Sequence, residues 1–311
     1  MITRSDVEAA RTRIRGRVRP TPVAEVDPGT FAGPTWLKLE HLQHTGTFKA
    51  RGAFNRLLSS AEQGILDPSV GVVVASGGNA GLANAFAARA LGVPATVFVP
   101  TTAPSVKVEK LRSYGATVVL HGIEYAAAYE AAIEHADRHG AVYCHAYDQP
   151  EIAAGAGTLA LELLEQLDDR VDSVIVAVGG GGLMAGVAAA TEGSARVVGV
   201  EPVTIPTLRT ALEQGGPTDV SVSGVAADSL GARRLGDIAY DVATRAGVRS
   251  LLVTDSDIIR ARQLLWDQYR IVVEHGAATA FAALTSGAYV PAPHERVVVV
   301  MCGANTSLGD L

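Results

Sequence analysis

Cysteine is scarce: Cys144 and Cys302 are the only two in 311 residues. Thiols so far apart along a chain offer neither a secreted disulfide framework nor the paired spacing of a zinc site. No uninterrupted apolar run approaches the length that spans a bilayer. The N-terminal stretch from Met1 to Arg19 is polar and arginine-rich and lacks the apolar core of a secretion signal. An excess of one charge sign is lacking as well. Lys and Arg number 26 against 32 Asp and Glu, a formal net charge of −6. That balance argues against nucleic acid or an anionic membrane surface as a partner. Internal repeats and low-complexity tracts are absent too. These absences leave a cytoplasmic protein with a small-molecule task as the expectation.

What the chain does have is apolar mass in short pieces. Hydrophobic residues make up 48% and charged residues 19%, enough for one large or two smaller buried cores. Valine-rich runs at Gly71–Ser76, Ala95–Val99, Thr117–Leu120, Ser173–Val178, Arg196–Glu201 and Arg296–Met301 read as buried strands. Between them, Leu82–Leu91, Ser105–Tyr114 and Glu124–His139 read as helices, each followed by a glycine suited to a left-handed stop. Ala50, Ala53, Phe54, Leu57 and Leu58 recur at helical spacing after Lys49. Gly215–Asp228 reads as loop. Strand and helix in alternation imply an α/β fold with mostly parallel sheets.

Four segments carry chemistry. In His44-Thr45-Gly46-Thr47-Phe48-Lys49-Ala50-Arg51-Gly52-Ala53, a glycine-bearing turn delivers a lysine to the start of a helix, where the helix dipole disfavours its charged form. A neutral amine is what Schiff-base chemistry requires. Ser76-Gly77-Gly78-Asn79-Ala80-Gly81 and Gly179-Gly180-Gly181-Gly182-Leu183 each follow a strand and open a helix, where free backbone N–H groups gather an anion. The last, Met301-Cys302-Gly303-Ala304-Asn305, sits where open α/β sheets bind ligands, beyond a strand's C-terminal end. Singly each has a plainer reading: a solvated helix lysine, a tight turn, a small buried thiol. Gly180-x-Gly182-x-x-Ala185, with Glu201 ending the next strand, also meets the dinucleotide fingerprint loosely, so a nucleotide-binding oxidoreductase competes.

Together and in this order, Thr-Phe-Lys-x-Arg-Gly-Ala, Ser-Gly-Gly-Asn, the tetraglycine and Cys-Gly-x-Asn resemble the fold-type-II, tryptophan-synthase-β-like enzymes that use pyridoxal 5′-phosphate. Among these the chain resembles the serine/threonine dehydratases (ammonia-lyases) and the related serine racemases, and the likeness runs from Arg19-Pro20-Thr21-Pro22 to Ser307-Leu308. Glu274-His275-Gly276-Ala277-Ala278 strengthens it. The resemblance implies two open α/β domains, a large one of residues 1–68 and 148–311 and a small one of 69–147, in a homodimer. It implies that Lys49 binds the cofactor and is the catalytic base. Phe48 would pack on the cofactor ring, Asn79 would meet the ring hydroxyl, and Gly179, Gly180, Gly181, Gly182 and Leu183 would cradle the phosphate. Cys302 would face the pyridine nitrogen. Ser76, Asn79 and Ala80 would hold the substrate carboxylate, and Glu201 a structural monovalent or divalent cation. The implied reaction is β-elimination of water from an L-β-hydroxy amino acid such as serine or threonine. With the sequence ending at Leu311, no feedback-regulatory domain is expected.

Three positions depart from the family pattern. Ala80 replaces a common histidine, and Gly77 replaces the serine of the racemases. Ile205 and Thr207 follow Glu201 where cation-binding relatives place a further carboxylate. Rival readings within the family are β-replacement, as in cysteine synthase, racemisation, and a non-catalytic carrier of the cofactor. Cysteine synthases usually carry Lys-Asp-Arg where this chain has Lys49-Ala50-Arg51.

Overall fold

The computed structural model describes residues 1–307 and Gly309, so Leu308 of the last motif lies outside the described residues. The chain enters with α1 (Arg4–Arg13), β1 (Val23–Glu25), β2 (Thr35–Lys38) and α2 (Lys49–Glu62). There follow β3 (Val72–Ala75), α3 (Asn79–Leu91), β4 (Ala95–Val99), α4 (Ser105–Ser113), β5 (Thr117–Leu120), α5 (Tyr125–His139) and β6 (Val142–Tyr143). Then α6 (Pro150–Gln166) leads to β7 (Ser173–Ala177), α7 (Gly182–Thr191), β8 (Arg196–Pro202), α8 (Thr207–Gln214), the short α9 (Ala227–Leu230) and α10 (Asp237–Ala246). The chain closes with β9 (Arg249–Val253), α11 (Asp255–Tyr269), α12 (His275–Thr285) and β10 (Val297–Val300).

The strands form two sheets. One has the order β5-β4-β3-β6 and is parallel throughout. The other has the order β1-β2-β10-β7-β8-β9 and is parallel except for the edge pair of β1 and β2. Both faces of the four-stranded sheet are covered. Along β3, Val72 and Val74 join one buried cluster while Val73 and Ala75 join another, under α5. That is why this strand shows a continuous apolar run and no alternation. β7 and β10 are likewise buried from end to end, in the largest cluster.

The expected helices are present, with shifted ends. Gly92 and Gly140 stop α3 and α5 in the left-handed conformation. α3 begins at Asn79, three residues ahead of the expected Leu82, so part of the Ser-Gly-Gly-Asn motif forms its first turn. Periodicity misses this because a first turn needs no apolar face. The stretch read as loop holds as loop until Ala227, where α9 starts.

One helix ties the sheets together. α6 packs on α2 and on α7, and does so closely enough to demand glycine. A Cβ on Gly157 would stand 2.4 Å from the carbonyl oxygen of Gly186, and one on Gly155 would stand 2.7 Å from that of Arg51. Because α2 starts with Lys49 and α7 starts in the tetraglycine, this contact sets the distance between the two motifs.

Candidate active site

The lysine motif is bolted to the last motif by backbone bonds. Thr47 and Gly303 form an antiparallel bridge, Phe48 N donates to Cys302 O at 3.0 Å, and Ala304 N donates to Gly46 O at 2.9 Å. The turn before it uses left-handed backbone at Thr45 (φ 62°) and Gly46 (φ 76°). Behind Lys49, the buried Arg51 guanidinium donates to Glu40 at 2.9 and 2.7 Å and to Glu162 at 3.0 Å. The first turn of α2 is thereby pinned to β2's exit and to α6.

Lys49 donates from Nζ to the carbonyl oxygen of Ala146 at 2.8 Å, and its amine stands 5.1 Å from the centre of the Phe48 ring. Burial pulls its pKa down to about 8, while the nearby Cys302 and Glu274 oppose that shift. Loss of solvent is thus the largest cause, where the sequence pointed to the helix dipole. The buried Cys302 thiol is pushed far up, again by burial first and by Glu274 second, and stays neutral across ordinary pH.

The glycine segments meet this lysine. Phe48, Lys49, Ala80, Gly182 and Leu183 line one small cavity together with His145 and Tyr147. Gly181 caps α7 with φ 87°, a conformation that L side chains resist, and no side chain caps that helix's N–H groups. The carbonyls of the loop are turned outward: Gly179 O accepts from Thr207 Oγ1 at 2.6 Å and Gly180 O from Gly236 N at 3.0 Å. The Tyr147 ring lies so near Gly180 that a methyl there would come within 2.4 Å of it.

Gly77, Gly78 and Asn79 face a second, larger cavity of about 580 Å³. Ser76 lies at the end of β3, where its hydroxyl accepts from Gly78 N at 3.3 Å. Asn79 Nδ2 donates to both Glu274 oxygens, at 2.9 and 3.0 Å, and its Oδ1 accepts from Asn305 Nδ2 at 2.8 Å.

Glu201 does not fit the cation role. Its carboxylate accepts from Leu208 N at 2.6 Å, Arg209 N at 2.9 Å, Thr207 Oγ1 at 3.0 Å and Ser250 Oγ at 3.3 Å. The donors from Leu208, Arg209 and Ser250, with Thr207 sharing its one hydroxyl proton between Glu201 and the Gly179 carbonyl, take up the lone pairs that a cation would need. The group anchors the first turn of α8 from the end of β8, and burial raises its pKa to about 7 against these bonds. Among the described residues no cluster of three or more His, Cys, Asp or Glu is arranged for a metal. The same occupancy removes the fingerprint reading, in which this acid would be left free for a ribose.

Four residues near the site were given no role of their own from the sequence: Glu274 and Asn305, which stand in quoted motifs, and His145 and Tyr147, which stand in none. Glu274 precedes a helix, where an acid reads as a favourable partner for the dipole. Nothing local reveals that its side chain turns inward instead. His145 Nδ1 accepts from the N–H of Tyr147 at 3.2 Å and of Asp148 at 2.8 Å, a fold-dependent arrangement with no motif of its own.

Residues 14–303 match the family described as pyridoxal-phosphate dependent enzymes. The chain is similar to L-threonine ammonia-lyase of Thermotoga maritima, with 34% identity over 98% of this chain and 76% of that protein. It is similar to phenylserine dehydratase of Ralstonia pickettii, with 37% identity over 97% of this chain and 93% of that one. The crystal structure of serine racemase from Dictyostelium discoideum aligns with a TM-score of 0.90, at 31% identity over 99% of each chain. No helix among the described residues is long and apolar enough to cross a membrane. A family match that begins just past α1 and ends within the last motif takes in the lysine, Ser-Gly-Gly-Asn and tetraglycine segments and Cys302, and the chain belongs to the pyridoxal-phosphate-dependent enzymes of fold type II.

Proposed function

We propose that this protein is a lyase that removes water from an L-β-hydroxy amino acid, such as L-serine or L-threonine, and releases a 2-oxo acid and ammonia. The observation that carries the reading is Lys49: an amine with a depressed pKa, facing the uncapped start of α7 across one cavity, with a neutral thiol nearby. Relatives named as ammonia-lyase and dehydratase support it.

These residues fit pyridoxal phosphate. The uncapped N–H groups from Gly179 to Leu183 suit its phosphate, Phe48 its ring face, Asn79 its hydroxyl and Cys302 its ring nitrogen. When bound, the cofactor supplies a sink for the electron pair left at the substrate's Cα. Lys49 carries the acid–base work: near neutral pH its amine is partly unprotonated, so it removes the Cα proton and holds it on Nζ. Ser76, Asn79 and Ala80 receive the substrate carboxylate at the start of α3. Cys302 stays uncharged and cannot lock a proton on the ring nitrogen, which favours expulsion of the β-hydroxyl over slower carbanion chemistry. The β-hydroxyl departs as water, the proton it takes up being balanced by the one removed from Cα, and the released enamine hydrolyses in solution to the 2-oxo acid and ammonia.

We read residues 1–68 with 148–311 as the large domain and 69–147 as the small one. The six-stranded sheet draws its strands from the first set and the four-stranded sheet from the second, which supports the division. Closure of the two would exclude water from the reacting carbon. A cytoplasmic homodimer rests on the family likeness alone, and sedimentation of the holoenzyme tests the dimer.

The deciding experiment follows 2-oxo acid and ammonia release by the holoenzyme across a panel of L-β-hydroxy amino acids, serine to phenylserine. Stoichiometric release of both products from at least one of them is expected. A new thiol product from sulfide and an activated serine, without oxo acid, would instead make the protein a β-replacement enzyme. A cofactor band with neither activity would make it a carrier.

A further inference from the structure

Glu274 occupies the N-cap position of α12, yet its side chain caps nothing there. It turns into the cleft and is only 7% exposed. Both its oxygens accept from Asn79 Nδ2, at 2.9 and 3.0 Å. The space it fills is kept open by Gly303, where a Cβ would come 2.5 Å from Oε1. A carboxylate can only accept, so this contact fixes which end of the Asn79 amide faces it. Asn305 fixes the other end, donating from Nδ2 to Asn79 Oδ1 at 2.8 Å. Asn305 is itself held by the Thr45 carbonyl at 2.8 Å and by Lys110 Nζ at 2.7 Å.

The charged and titratable groups around Glu274 come from several elements. They are Lys49 on α2, Cys302 beyond β10, Asp228 on α9, and the adjoining His275, which lines the same cavity. Lys107 on α4 is engaged by Asp228, and Lys110 by Asn305. None of the described ion pairs includes Glu274. A carboxylate so enclosed, with only the Asn79 amide and the Asn305 backbone N–H as donors, is costly to ionise. Burial, with Asp228 adding to it, moves its pKa up to about 7 against the Asn79 bond and the Lys49 charge.

We propose that Glu274 is a positioning residue for this site: with Asn305 it sets the orientation of the Asn79 amide, and by gaining or losing its own proton it gives the bound cofactor a pH response that Cys302 does not supply. Ionised, it accepts from Asn79 through both oxygens and polarises that amide. Protonated, it keeps one accepting oxygen and turns the other into a donor. The inference rests on the cofactor reading above, with Asn79 at the ring hydroxyl.

The test is the visible spectrum of the holoenzyme, titrated from mildly acid to mildly alkaline pH. The wild type should show a spectral transition with a midpoint near 7. Glu274→Gln should keep a visible cofactor band and lose that transition, and Glu274→Asp should restore it at a displaced midpoint. A Glu274→Gln enzyme with the wild-type midpoint, or a wild type with no transition, overturns the proposal. Should Glu274→Gln fail to retain the cofactor, Glu274→Asp decides: a displaced midpoint supports the proposal and an unmoved one overturns it. A wild type with no visible cofactor band at all would defeat the cofactor reading itself.

Discussion

The Lys49 ammonium and the Ala146 carbonyl meet at 2.8 Å, joining the first turn of α2 to the segment between β6 and α6. A carbonyl accepts more strongly from an ammonium than from a neutral amine, but it carries no formal charge, and burial outweighs what favours the charged form at Lys49. With burial lowering the pKa to about 8, the apoprotein should capture pyridoxal phosphate at a rate that rises with pH and levels off just above that value. Only the neutral amine condenses with an aldehyde. A capture rate that keeps climbing toward pH ~10, as for an ordinary lysine, would show that the amine is not so enclosed.

Cys302 should tolerate serine with elimination intact, since a hydroxyl also meets an unprotonated ring nitrogen. Cys302→Asp should cut elimination by roughly tenfold, about 1.4 kcal/mol in the barrier, and divert turnover to transamination. Product analysis by mass spectrometry reads both. Clean elimination by Cys302→Asp at the wild-type rate would remove Cys302 from the ring nitrogen.

Gly77 lines the larger cavity and offers no side chain to return a proton to the face opposite Lys49. The wild type should therefore form almost no D-isomer. Backbone strain does not bar serine here, because Gly77 is not among the positive-φ residues. The added Cβ would stand 3.3 Å from Val99 Cγ1, a contact that a small shift of Val99 relieves. Gly77→Ser should introduce measurable racemisation of unreacted substrate, read by chiral chromatography. D-isomer from the wild type at the rate of the oxo acid would move the protein to the racemases.

Glu201 makes a stability prediction. Its carboxyl titrates at about 7 in the folded chain against an ordinary 4.5, so the folded state binds the extra proton between those values. Its contribution to stability is then greatest below that window and falls as pH rises through it. Glu201→Gln should flatten this part of the pH dependence. It should also cost about 1–3 kcal/mol, because an amide N–H would face the N–H donors of α8. Urea midpoints of both proteins on either side of the window test this, and equal slopes would refute it.

Much of this was legible in the sequence, because strand-then-glycine-then-helix is a local pattern. The tetraglycine and Ser-Gly-Gly-Asn segments stand where their flanking valine runs and alanine-rich helices place them. What local pattern cannot carry is the far end of a side chain. Glu201 has the position of a cation ligand, yet the N–H groups of Leu208 and Arg209 in α8, seven and eight residues on, take its lone pairs. Glu274 and Asn79 lie 195 residues apart, and only the approach of α12 to α3 makes them partners. The short β1, β2, β6 and β9 were also missed, since two to five residues show too little periodicity to read, and all but β2 lie at a sheet edge.

The chain contains few lysines, and three of them are engaged elsewhere: Lys38 with Glu162 at 2.6 Å, Lys107 with Asp228, and Lys110 with Asn305 at 2.7 Å. Lys49 alone of the four lysines, Lys38, Lys49, Lys107 and Lys110, faces the tetraglycine helix. Borohydride reduction of the holoenzyme, followed by peptide mass spectrometry, therefore tests the central claim most directly. The reduced cofactor should be found on the peptide that holds Lys49, with loss of the yellow colour and of oxo-acid release, and Lys49→Ala should show neither colour nor turnover. A cofactor adduct on Lys38, Lys107 or Lys110, or full activity in Lys49→Ala, would contradict the account.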